Sequence, residues 1–206
     1  MKQPLGVILA GGQATRMGGG DKALLELGGQ SLLSRVIDRF EPQVAGLALN
    51  ANGDPNRFAL GLPILSDSIP GFAGPLAGVL AGLDWAAGQG ADTIVTVAAD
   101  TPFFPCDLVA HLLLTAESMT NPLVLAATPR GEQVTKSMTG KTIRHPTFGL
   151  WPVALRDDLR VAVQGGLSKV VLWSEPHGGR QAVFADENQF FNVNTPEDLA
   201  KAEAML

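Results

Sequence analysis

Gly6-Val-Ile-Leu9-Ala10-Gly11-Gly12-Gln-Ala-Thr-Arg16-Met-Gly18-Gly-Gly-Asp21-Lys22 is the stretch that decides how this chain reads. Gly6 to Ala10 is an apolar run of strand length. It breaks at Gly11-Gly12 into a loop with five glycines, one arginine and one lysine. Glycines let a backbone approach a ligand closely and aim successive N–H groups at it. Two cations in the same loop, Arg16 and Lys22, suit a polyanion such as a nucleoside triphosphate. The loop is not a Walker A motif, because no Lys-Ser or Lys-Thr follows a G-x-x-x-x-G. Gly11, Gly12 and Gly18 do not fit the dinucleotide spacing G-x-G-x-x-G either. A glycine-rich turn with no ligand is the plain alternative; the two cations beside an N-terminal strand favour phosphate binding.

Outward from this loop, short apolar runs alternate with helical patterns, the sign of β-α-β units around a mostly parallel sheet. Val44–Leu49, Pro63–Leu65, Thr93–Ala98 and Leu123–Ala127 read as further strands. Ser31–Phe40 places Leu32, Leu33, Val36, Ile37 and Phe40 on one helical face. Pro75–Ala87 is a second helix, with Pro75 at its first position and Gly88 as its stop. Leu108, Val109, Leu112 and Leu113 mark a third. Thr195-Pro-Glu-Asp198 opens a last helix running to Leu206, with an N-cap, Pro at N1 and acids in the first turn. Thr128–His145 is a long polar stretch, its Arg130, Lys136, Lys141 and Arg144 set against Glu132. It reads as a solvated basic loop, or as a cover for an anionic second substrate.

The strands end on polar residues: Asn50 after the second, Ser66-Asp67 after the third, Asp100 after the fourth. In an open parallel sheet these carboxyl ends share one edge, where ligands bind. A lone aspartate after a strand is usually a turn former. Three polar strand ends beside a cationic glycine loop point instead to a common crevice. Within Ala98-Ala99-Asp100-Thr101-Pro102, Pro102 stops the strand and keeps the residue before it extended. Asp100 should then project over the sheet edge as a candidate ligand for Mg²⁺, which takes one or two carboxylates plus substrate phosphates.

In Phe190-Phe-Asn192-Val-Asn194-Thr195, period-two alternation puts Asn192 and Asn194 on one side. Their amide oxygens suit a metal shell or a phosphate, whereas Thr195 reads as a helix cap. Gly71-Phe-Ala-Gly74-Pro75-Leu-Ala-Gly78 places a glycine-rich turn before a helix, with Gly78 admitting either a base or, by packing through small residues, another helix. No nucleophile–base pair stands out. A phosphate monoester acceptor, with a second pKa of ~6, is largely ionised already. It needs charge neutralisation and alignment more than a base.

At 206 residues, 46% hydrophobic and with 24 glycines, the chain suits one α/β domain. Its formal charge of −5 argues against non-specific nucleic-acid binding, so any phosphate must be held by a local cationic cluster. Cys106 is the only cysteine, which excludes a disulfide framework and a cysteine zinc site. No secretory pattern precedes the first strand and no apolar run reaches membrane-spanning length, so a cytoplasmic protein is expected.

Together and in order, several motifs resemble the molybdenum cofactor guanylyltransferases of the MobA type. They are Leu9-Ala-Gly-Gly-x₃-Arg16-Met-Gly-x₂-Asp21-Lys22, Leu49-Asn50-Ala-Asn52, Asp67-Ser68 with Gly74-Pro-Leu-Ala-Gly78, Asp100-Thr-Pro102, His145-Pro-Thr147, and Asn192-Val-Asn194-Thr195-Pro196. The likeness spans nearly the whole chain. It departs from the pattern at Arg144, where an acidic or small residue is common, and at Ala98-Ala99, where a cysteine often precedes the aspartate.

The resemblance implies a three-layer α/β/α, Rossmann-like nucleotidyltransferase fold, with a nucleotide half of about residues 1–105 and an acceptor half of about 106–206. It implies GTP, Mg²⁺ and molybdopterin as ligands, and transfer of GMP to the pterin phosphate with release of pyrophosphate. Position by position it assigns GTP to Leu9, Ala10, Gly11, Gly12, Lys22, Asn50, Asp67 and Asp100. It gives the metal to Asp100, phosphate to Arg16, and the acceptor and metal side to Asn192, Asn194 and His145. A monomer passing its product to other cofactor proteins is implied as well. Three alternatives stay open: CTP in place of GTP, a sugar or alcohol phosphate as acceptor, and a non-catalytic carrier of the finished dinucleotide.

Overall fold

The computed structural model describes residues 2–11, 21–69, 71, 74–130 and 142–206. Strands β1 (Leu5–Leu9), β4 (Leu47–Asn50), β5 (Ile64–Leu65), β6 (Thr93–Ala98), β7 (Val124–Pro129), β8 (Thr142–Pro152) and β9 (Arg180–Val183) form one sheet. Its order is β5-β4-β1-β6-β8-β7-β9. A separate small hairpin pairs β2 (Glu26–Leu27) with β3 (Gln30–Ser31). The helices are α1 (Leu32–Phe40), α2 (Pro75–Gly88), α3 (Leu108–Thr115), α4 (Arg156–Gln164), α5 (Val170–Ser174) and α6 (Pro196–Glu203).

Alternation along the central strands explains the layers. Ile8, Val95 and Val97 face one side, where Leu33, Val36 and Phe40 of α1 and Leu108, Val109 and Leu112 of α3 cover them. Val7, Leu9 and Ile94 face the other, under Leu76, Val79, Leu80 and Leu83 of α2 and Leu159 and Val163 of α4. Strands covered on both faces read as continuous apolar runs, which is why β1 and β6 are legible in the sequence. The result is the expected α/β/α sandwich around a mostly parallel sheet.

Strands β1, β4, β5 and β6 are mutually parallel, so Leu9, Asn50, Leu65 and Ala98 all end on one edge. Strand β8 is antiparallel to both β6 and β7. Its last partner on β6 is Gly149, opposite Thr96, so residues 142–148 continue past the end of that ladder. The Thr128–His145 stretch therefore needs correction. Thr128 and Pro129 finish β7 and residues 142–145 begin β8; Lys136, Lys141 and Glu132 lie outside the described residues. Arg144 spends its charge on Glu175, at 2.7 Å, rather than on an open basic surface.

Candidate active site

Lys22 is the meeting point of the site. It opens a three-residue 3-10 turn, Lys22–Leu24, and only 15% of its side chain is exposed. Its Nζ donates to Asp100 Oδ2 and to Asn194 Oδ1, each at 2.5 Å. Asp100 stands just past β6 with 26% of its side chain exposed, half-withdrawn from water yet open toward the sheet edge.

The segment after the 3-10 turn Glu187–Phe190 is docked beside it, because the Val193 N–H donates to the Asp100 carbonyl at 2.9 Å. Val193 is fully buried and anchors that segment, which leaves Asn192 and Asn194 on its outer side as alternation requires. The buried Thr101 hydroxyl donates to Asn192 Oδ1 at 2.5 Å and sits 3.1 Å from Asp100 Oδ1. Asn194 is steadied from behind. Its backbone N–H donates to Asp198 in the first turn of α6, and that bond is the chief reason the Asp198 carboxyl titrates below its usual range. Thr195 and Asp198 complete a reciprocal capping box, the role expected of Thr195.

A second cluster forms two strands away. Asn50 Nδ2 donates to Asp67 Oδ1 and to the Leu65 carbonyl, both at 3.0 Å. Asn52 Nδ2 reaches Asp67 Oδ2 at 2.7 Å and its Oδ1 accepts the Asp67 N–H at 2.9 Å. Gly78 lies against this cluster: a Cβ there would fall 2.2 Å from Asn50 Oδ1 and 2.9 Å from Leu9 Cδ2. Its space is therefore filled by Asn50 of β4 and Leu9 of β1, so Gly78 lets the helix approach the sheet rather than a second helix. In β1 the Leu9 carbonyl accepts the Ala99 N–H and the Ala10 N–H donates to the Asn50 carbonyl. These bonds splice the glycine loop's entry to both neighbouring strand ends. Gly12 and Arg16 lie outside the described residues.

His145 is placed differently. Its Nε2 lies 2.9 Å from Thr128 Oγ1, and its ring stacks on Phe190 with centroids 4.2 Å apart. It approaches the Lys22 cluster through Phe190, two residues before Asn192. Burial lowers its pKa from 6.5 to about 4, so the ring is neutral at pH 7. The unfolded chain takes up this proton near 6.5, whereas the folded one does so only near 4. The histidine's contribution to stability is thus complete above 6.5 and is lost as pH falls toward 4. We expect wild type to lose ~1 kcal/mol more than His145→Gln between pH 7 and 5, after allowance for solvent screening of a half-buried ring. Urea titrations at the two pH values check this; equal losses in both proteins would remove the histidine as the cause.

Two residues outside the motif reading also shape the site. Arg57 binds Asp21, the residue before Lys22, at 2.9 Å. Asp84 on α2 gathers Ser68 and Arg160, each at 2.5 Å. Asp54-Pro55 signals a helical start in the sequence, but no local pattern reveals that Arg57 reaches Asp21. A groove of about 420 Å³, lined in part by Arg35, Arg39, Phe103 and Cys106, lies along α1, and Lys22, Asp100 and Asn194 are not among its lining residues.

The lysine that opens the first described turn after β1 is paired with an acid at the carboxyl end of a mostly parallel sheet, the edge at which open α/β sheets bind ligands. The family model for the MobA-like NTP transferase domain matches residues 6–177, and the chain belongs to that family. It is 50% identical to a molybdenum cofactor guanylyltransferase of Cereibacter sphaeroides over 202 residues, covering 98% of this chain and 96% of the relative. Among solved structures it resembles molybdopterin-guanine dinucleotide biosynthesis protein A from Archaeoglobus fulgidus. That match has a TM-score of 0.71 at 20% identity, over 98% of this chain and 97% of the other. It also resembles 2-C-methyl-D-erythritol 4-phosphate cytidylyltransferase from Thermus thermophilus, with a TM-score of 0.70 at 22% identity, over 100% and 98% of the two chains. Enzymes named for different nucleotides and acceptors share this fold, so the fold alone does not choose the base.

Proposed function

We propose that this chain transfers GMP from GTP to the terminal phosphate of molybdopterin, giving the guanine dinucleotide and pyrophosphate. The observation that carries the reading is Lys22 Nζ lodged between Asp100 and Asn194 at the sheet edge. The names of the near-full-length relatives supply the base and the acceptor.

In this reading an oxygen of the acceptor phosphate attacks the α-phosphorus of GTP. The bond from that phosphorus to the bridging oxygen breaks, and pyrophosphate leaves. Lys22 and Arg16 neutralise the phosphates, with the Leu9–Gly12 backbone beside them. Asn50 and Asp67 hold the rest of the nucleotide. Asn192 and Asn194 face the acceptor, with His145 behind them as a neutral support.

The donor set around Lys22 Nζ consists of carboxylate and amide oxygens, which suits a hard divalent cation. Asp100 would hold Mg²⁺ with Asn194 nearby, and the ion when bound supplies charge neutralisation at the α-phosphate and the leaving group. Among the described residues no helix is long and apolar enough to cross a membrane. The reading places the reaction in the cytoplasm, with the product passed on to other cofactor proteins.

The test is pyrophosphate release by purified protein with molybdopterin and Mg²⁺, run in parallel with GTP, CTP, UTP and ATP. Release with GTP well above the others is expected. Release with CTP alone would reassign the base, and GTP binding without any release would make the protein a carrier.

A further inference from the structure

Lys22 is held by a device that the proposed reaction does not use. Asp21 caps the 3-10 turn that begins with Lys22, its Oδ1 accepting the Ala23 N–H at 3.2 Å. The other oxygen, Oδ2, accepts from Arg57 Nε at 2.9 Å, across 36 residues of chain. Only 13% of the Asp21 side chain is exposed, and among the described residues Arg57 is its counter-charge, so without Arg57 this carboxylate would sit largely out of water short of that partner.

Arg57 is itself fixed on two further sides. Its Nη1 donates to the Asp54 carbonyl at 2.7 Å, and its guanidinium lies 4.2 Å over the ring of Phe58, which is buried in the core. Asp54 accepts the Asn56 N–H at 3.0 Å and so caps the 3-10 turn Pro55–Phe58. That turn follows β4 directly, on the segment that carries Asn50 and Asn52.

We propose that Arg57 is a positioning residue for Lys22. Acting through Asp21, it ties the turn bearing the ammonium group to the segment bearing the Asn50–Asn52–Asp67 cluster. The two ends of the nucleotide site are then held at one spacing, with Lys22 presented to Asp100 before substrate arrives. The planar guanidinium does this because Nε and Nη1 address Asp21 and Asp54 at once, and a lysine ammonium has no such rigid fork. The kinetic consequence rests on the guanylyl-transfer reading; the structural one does not.

The full-length chain is tested as Arg57→Met, Asp21→Asn and the double variant, with Arg57→Lys as a charge-retaining fourth. The first readout needs no nucleotide: brief acylation of lysine amines, with peptide mass spectrometry, using exposed Lys201 as the internal reference. Lys22 is covered by Asp100 and Asn194, and in Arg57→Met its labelling should rise ~10-fold relative to Lys201 as the turn opens locally. Arg57→Lys should fall between, and it carries the same test if the methionine variant does not fold.

The second readout is kinetic. Loss of alignment should lower kcat by ~10- to 100-fold while KM for GTP moves by less than ~3-fold. The double variant should be no worse than the poorer single one, because both changes break the same link. Unchanged Lys22 labelling in both Arg57 variants would overturn the proposal. So would losses that add to those of Asp21→Asn with a raised KM, which would put Arg57 on the nucleotide itself. If the guanylyl-transfer reading were wrong, wild type would fail to turn over while Lys22 labelling still responded to Arg57→Met.

Discussion

Asp100→Asn should lower GMP transfer by ~10³-fold or more, at the upper end of what loss of one preorganised electrostatic group produces. The substitution keeps shape and a hydrogen-bonding oxygen for Lys22 but removes the negative charge. The Asp100 backbone is held independently, because its carbonyl accepts the Val193 N–H at 2.9 Å, so the strand end should stay in place. Two functions go together: the candidate ligand for Mg²⁺ and the counter-charge that orients Lys22. Pyrophosphate release measures the loss of turnover. Mn²⁺ binding followed by electron paramagnetic resonance measures the loss of the metal ligand and should weaken in parallel. An Asp100→Asn protein with wild-type turnover would remove Asp100 from the reaction.

Lys22→Met should also be severe, but with a different signature. Methionine roughly replaces the apolar stem, so packing is retained while the ammonium group is lost. Its loss leaves Asp100 Oδ2 and Asn194 Oδ1 without the donor that now bridges them at 2.5 Å each. Turnover should fall ~10²- to 10³-fold, and GTP should protect the variant less against thermal unfolding. Free Mn²⁺, in contrast, should bind at least as well as to wild type, since the competing cation has been removed from the carboxylate. Loss of turnover with metal binding retained separates the phosphate-binding lysine from the metal-binding acid. Normal GTP protection together with a normal rate would overturn the assignment of the loop.

Much of the fold is legible in the sequence because its signals are local. Thr93–Ala98 is read with the same bounds in sequence and structure, and Pro75 begins α2 as expected. The second strand is shorter than its apolar run: Val44 caps the 3-10 turn Glu41–Gln43 that follows α1, and the register with β1 begins at Leu47. Strand β8 is hidden by Pro146 and Gly149, which argue against a strand. They are tolerated because the ladder with β7 shifts there: Ala126 pairs with His145 and Leu125 with Gly149, so residues 146–148 face no partner on β7. Strand β9 and helix α5 are short, and their periodicity is too brief to stand out. Helix α4 is as long as α1 but buries only Leu159 and Val163, so its apolar stripe is too thin to mark it.

The sequence by itself determined which polar residues leave the parallel strands at their carboxyl ends, and that a cationic glycine loop leaves there too. Strand period, proline and glycine all act within a few residues, so Asn50, Asp67 and Asp100 could be placed on a common edge without coordinates. Only the tertiary structure decided who meets whom on that edge. Lys22 finds Asn194 across 172 residues, and Arg57 finds Asp21 across 36. His145 is turned onto Phe190. Those choices depend on strand order and on how the segment after Phe190 docks beside β6. Such contacts are made between distant parts of the chain, where no local periodicity reaches.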